Sequence, residues 1–282
     1  MISSIDRLAL TMQSTMIAQT ATLVDWPAKH DLFGVRVSAT SYEESVTSIL
    51  AAARRGVPAV ASFHAVHAIV TTAGDPELRR KVNTFQLVGP DGQPVRWALN
   101  LLHKTELRDR VYGPELMRRL CQAAAEGDVP IYLYGSSPPV IEKLQHNLRE
   151  QFPSIQIAGA ESPPFRTLSP TEEDDMVRRI NESGAGIVFI GLGCPKQDHF
   201  AYDYRERIKA VQVCVGAAFD FHAGTKPMAP EWMQRRGLEW LFRLVKEPGR
   251  LWRRYLVTNS IFLGRLLIAY SSQLPFRKRR VR

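Results

Sequence analysis

One stretch of the sequence decides the fold: Ile187-Val-Phe-Ile-Gly-Leu-Gly-Cys-Pro-Lys-Gln197, an apolar run that ends in a glycine-rich loop. Its consecutive apolar residues, Ile187 to Ile190, predict a strand that is covered on both faces. Val211 to Val215 repeats the arrangement and runs into Gly216-Ala-Ala-Phe-Asp220. Strands of this kind are typical of parallel sheets, in which ligands bind beyond the carboxyl ends of the strands.

Capped helices alternate with short apolar strands along most of the chain. Ser41-Tyr-Glu-Glu44 and Ser169-Pro-Thr-Glu172 are capping boxes, in which the Ser hydroxyl and the Glu carboxylate satisfy free amides at a helix start. Pro138 stands at a first helical position after Ser137, which predicts another helix start. The further strands that we predict are Phe33–Ser38, Val57–Phe63, Phe85–Val88, Ile131–Tyr134 and Ile155–Gly159. The alternation predicts an α/β fold with a Rossmann-like, mostly parallel sheet flanked by helices.

Positive charge is concentrated at the C-terminal end. The 282-residue chain has a net charge of +9, whereas residues 235–282 alone contain 13 Lys or Arg and two Glu. The residues before them therefore sum to −2. From about residue 231 the pattern is helical only, with a break expected at Pro248. We expect a flexible leader over 1–30, an α/β domain over 31–232 and a basic helical appendage over 233–282.

Composition and spacing exclude several classes of protein. Three widely spaced cysteines without a Cys-x-x-Cys pair exclude a disulfide framework and disfavour zinc. The N-terminal residues do not resemble a signal peptide, and the apolar stretch Leu256 to Tyr270 is shorter than the ~20 residues that span a bilayer. His64 and His67 have no third ligand nearby and the sequence has no Asp-x-Asp motif, so we predict no metal and no cofactor. A nicotinamide dehydrogenase is disfavoured, because no Gly-x-Gly-x-x-Gly follows the first strand.

Three features could carry chemistry, and each has a structural alternative. Asp91 lies in a Pro-Asp-Gly turn after a predicted strand, where a carboxylate could act as a general base or simply favour the turn. The Gly191–Gln197 loop, with Lys196, could bind a nucleotide or sugar phosphate through its amides, or merely cap a helix. The Tyr134–Ser137 turn is a weaker candidate of the same kind.

The basic appendage predicts a polyanionic partner. Nucleic acid, a phosphorylated ligand and an anionic membrane surface all fit its charge. Arg243, Arg250 and Arg254 would share one face of a continuous helix, and guanidinium groups match phosphate oxygens well. A solvated basic face over an aromatic core explains the same residues. Charge alone leaves these alternatives open.

The motifs together resemble the WecG/TagA/CpsF glycosyltransferases (glycosyltransferase family 26), and they follow the order of that family from about Phe33 to Tyr255. They are Ala61-Ser-Phe-His64, Gly89-Pro-Asp-Gly92, Asp109-Arg-Val-Tyr-Gly113, Tyr134-Gly135, Gly191-Leu-Gly-Cys-Pro-Lys-Gln-Asp198, Val215-Gly-Ala-Ala-Phe-Asp220, Ala223-Gly224, Ala229-Pro-Glu-Trp232, Gly237-Leu-Glu-Trp-Leu-Phe-Arg243 and Glu247-Pro-Gly-Arg250.

The resemblance implies an enzyme with a fold of the GT-E type. It implies inverting, metal-independent transfer of a hexose or N-acetylhexosamine-type sugar from a UDP-sugar to an undecaprenyl-diphosphate-linked acceptor, a polyprenyl-linked glycan. The setting would be bacterial exopolysaccharide or cell-surface glycan biosynthesis at the cytoplasmic face of the inner membrane. The protein would be peripheral, on an anionic membrane surface and without nucleic acid, and a homo-oligomer is compatible with this setting. The alternative is a nucleic-acid-binding protein that uses the basic tail.

The resemblance also implies roles for individual residues. Asp91 would be the catalytic base, with Ser62 and Arg110 beside it. Substrate would be bound by His64, Gly135, Gly191, Gly193, Lys196 and Gln197, and the diphosphate by Arg243, Arg250 and Arg253. His64 stands where the family usually has Asn, in the wall of the active site. This departure leaves the identity of the donor sugar open.

Overall fold

The computed structural model describes residues 24–273, without the side chains of Glu231, Arg235 and Arg250. Its strands are β1 Lys29–Leu32, β2 Val35–Ser38, β3 Ala59–His64, β4 Leu87–Pro90, β5 Ile131–Gly135, β6 Ile157–Glu161, β7 Ile187–Gly191 and β8 Val211–Cys214. β3 to β8 form a six-stranded sheet in the order β4-β3-β8-β7-β5-β6, and every neighbouring pair in it is parallel. The predicted fold class is therefore confirmed.

The helices connect these strands and cover both faces of the sheet. They are α1 Tyr42–Arg54, α2 Val66–Gly74, α3 Pro76–Val82, α4 Gln93–His103, α5 Gly113–Glu126, α6 Pro138–Gln151, α7 Pro170–Glu182, α8 Lys196–Asp203, α9 Ala218–His222, α10 Glu231–Arg235, α11 Glu239–Lys246 and α12 Pro248–Gln273. One apolar layer includes Ile49, Leu116 and Leu144, and the other includes Ile69 and Leu99. Burial on both faces explains why the strands are uninterrupted apolar runs.

The local sequence rules hold where the contacts are local. Ser41 Oγ accepts a hydrogen bond from the Glu44 amide at 3.2 Å, and the reciprocal contact completes the predicted capping box. Ser169 and Glu172 form the second box at the start of α7. Ser137 is the N-cap residue of α6, but its side chain makes no capping hydrogen bond. The predicted strands of the large sheet are all present, although β3, β4 and β6 begin two residues later than predicted.

The N-terminal hairpin differs from the prediction. β1 and β2 pair antiparallel, and Phe33 and Gly34 form the turn between them with φ of 61° and 88°. The single strand predicted over Phe33–Ser38 is therefore wrong at its first two residues. Residues 24–30 were predicted to belong to the leader, yet Val24 and Trp26 pack against the core and β1 begins at Lys29. The rest of the predicted leader, 1–23, lies outside the described residues.

The C-terminal helices fold back onto the sheet domain. α11 ends at Lys246 and α12 begins at Pro248, which confirms the predicted break. α12 packs against α2 and α4, with Leu251 and Phe262 buried in the contact. The predicted domain boundary between residues 232 and 233 falls inside α10. Within residues 24–273, no helix combines the length and the hydropathy that a membrane crossing requires.

Candidate active site

Asp91 is fixed at the carboxyl edge of the sheet by the backbone on both sides of it. Its amide donates to the His64 carbonyl at the end of β3, at 3.1 Å. The Val111 amide donates to the Pro90 carbonyl at 2.9 Å, which brings the segment before α5 against the end of β4. Asp91 therefore lies where ligands bind in parallel α/β sheets.

A cavity of about 650 Å³ opens at this edge and is covered by α11 and α12. The sheet domain contributes to its wall the carboxylate of Asp91 and the loop that contains Gly193 and Gln197. The C-terminal helices contribute cations and aromatic rings. The charged and polar residues on the wall include Asp91, Arg110, Tyr112, Gln197, Lys226, Glu239, Arg243 and Arg254, and the apolar ones include Trp97, Trp240, Phe262, Leu263 and Leu266. A mixed wall of this volume suits a small organic ligand with an anionic part.

The environment of Asp91 makes it more basic than an ordinary aspartate. Burial raises the pKa of the Asp91 carboxyl to about 6, against the opposing charges of Arg110 and Arg243 and the hydrogen bond of the Gly113 amide. The negative charge of Glu239 adds to the rise. A carboxylate with a pKa in this range is suited to accept a proton near neutral pH.

Arg110 links the sheet domain to the C-terminal helices. Its Nη1 makes an ion pair with Oε2 of Glu239, the first residue of α11, and both side chains are buried. The guanidinium also lies over the Tyr112 ring, 4.6 Å from its centroid. Burial opposes the charge of Arg110, but Glu239 and Asp91 outweigh it and raise the arginine pKa, so Arg110 is cationic.

Ser62 and His64 form a buried network beneath the cavity with Asp198 of α8. Ser62 Oγ donates to Asp198 Oδ1 at 2.6 Å, and His64 Nε2 lies 3.2 Å from the same oxygen. Burial alone would raise the pKa of Asp198, but His64, Ser62 and Cys194 hold it below its usual value. In the part of the chain that the structure describes, no group of three or more His, Cys, Asp or Glu is placed to hold a metal ion.

The sequence matches the glycosyl transferase family WecG/TagA/CpsF over residues 30–275, nearly the whole chain. The chain belongs to this family. As a WecG/TagA/CpsF member it has a glycosyltransferase role, which requires a sugar donor and an acceptor as substrates. The cavity at the carboxyl edge, with Asp91 and the arginines on its wall, is the candidate site for these substrates.

The fold of this family member brings five of the sequence-predicted site residues to one cavity. They are Asp91, Arg110, Gly193, Gln197 and Arg243. Gln197 is buried, and its side-chain oxygen accepts from the Gly193 amide at 3.2 Å, so the loop and the start of α8 are held together. Ser62 and His64 lie under this wall rather than on it, because Asp198 holds both side chains in the core.

Gly135, Gly191 and Lys196 are not brought to the cavity wall. Gly135 has φ of 131°, and a Cβ on it would lie 2.6 Å from the Gly191 carbonyl carbon. A Cβ on Gly191 would lie 2.5 Å from the Phe219 ring. The approach of the Gly191 backbone explains Gly135, and the approach of the Phe219 ring explains Gly191, in both cases without a ligand. Lys196, at the start of α8, is exposed.

The C-terminal arginines do not all lie at the cavity. Arg243 and Arg254 line the cavity, whereas Arg253 is exposed and does not reach it. Because α11 and α12 are separate helices, the continuous face proposed for Arg243, Arg250 and Arg254 does not exist. The side chain of Arg250 lies outside the described part of the structure. Of these two neighbouring arginines, Arg254 therefore lies on the cavity wall and Arg253 does not.

Sequence reasoning missed two residues of the cavity, Glu239 and Tyr112. Glu239 is the only acid between Arg235 and Lys246, and an isolated acid in a basic helix was a usable indication. Tyr112 lies against Arg110, and burial is the main cause that raises the pKa of its phenol, so it stays protonated. Tyr112 lies in the motif Asp109-Arg-Val-Tyr-Gly113, but the sequence analysis gave it no role of its own.

Proposed function

We propose that this protein is an inverting glycosyltransferase that moves a hexose or N-acetylhexosamine-type sugar from a UDP-sugar to an undecaprenyl-diphosphate-linked glycan acceptor. The observation that carries the proposal is the Asp91 carboxylate, raised in pKa to about 6 and facing arginines across one cavity. A base and an anion-binding group on opposite sides of a reacting sugar are what displacement at an anomeric carbon needs.

In the proposed reaction Asp91 takes the proton of the acceptor hydroxyl as that oxygen attacks the anomeric carbon. The new C–O bond forms on the face opposite the diphosphate, and the bond between the anomeric carbon and the diphosphate oxygen breaks. Its electron pair leaves with UDP, and Arg243 and Arg254 are the cations on the cavity wall that would stabilise the developing charge. Attack from the opposite face inverts the anomeric configuration.

Metal independence is also part of the proposal. It rests on the sequence, which has no Asp-x-Asp motif. It rests also on the guanidinium groups at the cavity, which can neutralise a diphosphate in place of a metal cation. Lys226 lines the same wall and adds a further positive charge.

The surface of α12 supports a peripheral place at the cytoplasmic face of the bacterial inner membrane. Leu256, Leu263, Leu267 and Ile268 are each between 58 % and 70 % exposed. An exposed apolar helix face beside arginines is suited to lie in the interface of an anionic bilayer. An acceptor with a polyprenyl tail would then be presented beside the cavity that α12 covers.

Incubation of the purified protein with a panel of nucleotide sugars and a short-chain polyprenyl-diphosphate-linked sugar tests the proposal. We expect release of UDP, a product one sugar heavier by mass spectrometry and inverted anomeric configuration by NMR, with and without a chelator. A product with retained configuration, or no transfer from any donor, would contradict it. Salt-dependent binding of DNA or RNA by the same preparation, without transfer, would favour the nucleic-acid alternative.

A further inference from the structure

Glu239 lies in the cavity wall, and its side chain makes an ion pair with Arg110 of the sheet domain. Its side chain is 7 % exposed, and Oε2 receives the Arg110 guanidinium. Oε1 is buried and has no hydrogen-bond partner among the described residues. Buried carboxylate oxygens are normally paired, so a half-satisfied carboxylate beside a base needs a functional explanation.

Two carboxylates therefore share one guanidinium. Asp91 belongs to the sheet edge and Glu239 to α11; Arg110 makes an ion pair with Glu239 and has a charge interaction with Asp91. A cation that is paired with one anion stabilises a second anion less well than a free cation would. The pairing of Arg110 with Glu239 thus leaves Asp91 more basic than it would be with Arg110 to itself.

We infer that Glu239 is a positioning residue for the proposed transfer: by pairing with the Arg110 guanidinium from α11, it leaves that guanidinium less available to the Asp91 carboxylate and so keeps Asp91 a competent base. The inference rests on the proposed function. It concerns a residue that acts through Arg110 and Asp91, and it does not place Glu239 in contact with the substrate.

The other charged and titratable groups around Asp91 do not replace Glu239. Tyr42 of α1 and Tyr112 face Asp91, and burial raises both phenol pKa values, so both are neutral. Arg110 and Arg243 are cations and lower the pKa of Asp91, while Lys226, Arg254 and His67 lie on the same cavity wall. Burial is the main cause that lowers the pKa of His67, with Arg254 adding to it. Glu239 is therefore the anion among these groups that opposes the arginines.

The test is a titration of Asp91 that does not require activity. Protein labelled with ¹³C at the aspartate carboxyl carbons is titrated by NMR, with Asp91 assigned by its loss in Asp91→Asn. We expect Asp91 to titrate near pH 6 in the wild type, and about one unit lower in Glu239→Gln, which keeps the hydrogen bond to Arg110 but removes the charge. Glu239→Asp, which keeps the charge, should restore most of the shift.

The matched control is Glu161→Gln. Glu161 lies on β6, at the edge of the sheet opposite β4, and its half-buried carboxylate is paired with Arg179 of α7. This substitution should leave the titration of Asp91 unchanged. An Asp91 that titrates at the same pH in the wild type and in Glu239→Gln, or at a higher pH in Glu239→Gln, overturns the inference. If the wild type transfers no sugar, the proposed function fails, but this titration still decides the role of Glu239.

Where transfer is measured, the acid limb of the pH–rate profile follows the same prediction. In Glu239→Gln the limb should move to lower pH, because Asp91 stays ionised further into the acid range. The plateau rate should fall by roughly 3- to 10-fold, because a weaker base accepts the proton less readily. A purely structural loss would lower the rate at every pH without moving the limb.

Discussion

The sheet edge and the C-terminal helices form opposite sides of one cavity, but they differ in how they are built. The strands β3, β4, β5 and β8 are fully buried, and the Asp91 amide donates to the His64 carbonyl at the end of β3. α11 and α12 instead leave Trp240 and Trp252 42 % and 55 % exposed. The difference indicates that Asp91, the proposed base, is held by the buried sheet, whereas Arg243 and Arg254 come from helices with exposed aromatic side chains.

The charge distribution follows the same division. The sheet domain is close to neutral, and the C-terminal residues carry the positive balance of the chain. At the cavity, however, Arg110 and Lys226 are cations from the sheet domain, and Glu239 is an anion in α11. The ion pair between Arg110 and Glu239 joins the two regions. We expect variants of the sheet domain and variants of the C-terminal helices to behave differently.

The largest effect is expected at the sheet edge, for Asp91→Asn. Loss of a general base should lower kcat by about 10²- to 10⁴-fold, with the donor dissociation constant near the wild-type value. In the wild type the rate should fall as the pH drops through about 6, because Asp91 becomes protonated. Steady-state transfer assays and donor titration by calorimetry measure both quantities. A wild-type-like kcat in Asp91→Asn would remove Asp91 from the mechanism.

The same variant should be more stable than the wild type. Because the folded-state pKa of Asp91 is raised, its ionised form costs stability, by up to about 3 kcal/mol at neutral pH. The gain in Asp91→Asn should be complete above about pH 6 and should vanish below about pH 4, where the wild-type carboxyl is protonated as well. Urea unfolding at pH 7.5 and at pH 4 would detect it, with Glu142→Gln, a change at an exposed carboxylate of α6, as the control.

Local sequence patterns predicted the scaffold well, because its elements depend on contacts within a few residues. Capping boxes at Ser41 and Ser169 and the apolar strand at Ile187 are of this kind. The cavity depends on contacts between distant segments. Arg254 rather than Arg253 faces it because packing of α12 against α2 and α4 sets the rotation of that helix. Glu239 could not be paired with Arg110 from the sequence for the same reason.

The resemblance to a family supplied part of what local patterns could not. It indicated Asp91, Arg110, Gln197 and Arg243, all of which the fold places at the cavity. It also indicated Gly135 and Gly191, for which close packing against the neighbouring strand β7 and against the Phe219 ring of α9, respectively, is a sufficient reason. A shared motif indicates that a residue is needed, but it does not say why. The structure is required to distinguish a residue that contacts a ligand from one that is needed for packing.

The next effect in size is expected in the buried network of the sheet domain, for Asp198→Asn. Asp198 is fully buried and accepts from Ser62 and His64, so removal of its charge should cost about 1.5–3 kcal/mol of unfolding free energy. The low pKa of Asp198 means that its contribution is present at neutral pH and is lost as the pH falls below the usual aspartate range. Urea denaturation curves at several pH values measure this. A loss below about 0.5 kcal/mol, as expected for an exposed site, would show that the network is not a structural support.

A smaller effect is expected on the helical side, where Arg243→Gln and Arg253→Gln form a matched pair. Arg243 lies on the cavity wall and Arg253 does not. Loss of one charge-assisted contact to the diphosphate should lower kcat/KM by about 10- to 50-fold in Arg243→Gln, and Arg253→Gln should stay within about 2-fold of the wild type with a water-soluble acceptor. Equal losses in both variants would mean that the arginines act through overall charge and not through the cavity.

The smallest effect on folding is expected where α12 faces away from the domain. Leu267 and Ile268 are 68 % and 70 % exposed, so Leu267→Ser with Ile268→Ser should change the unfolding free energy by no more than about 0.5 kcal/mol. Sedimentation with anionic vesicles should nevertheless fall several-fold, because each exposed apolar side chain adds to insertion in a bilayer interface. Activity with a soluble acceptor should be unchanged. If vesicle binding also stays unchanged, this face does not contact the membrane, and its exposed residues require another partner.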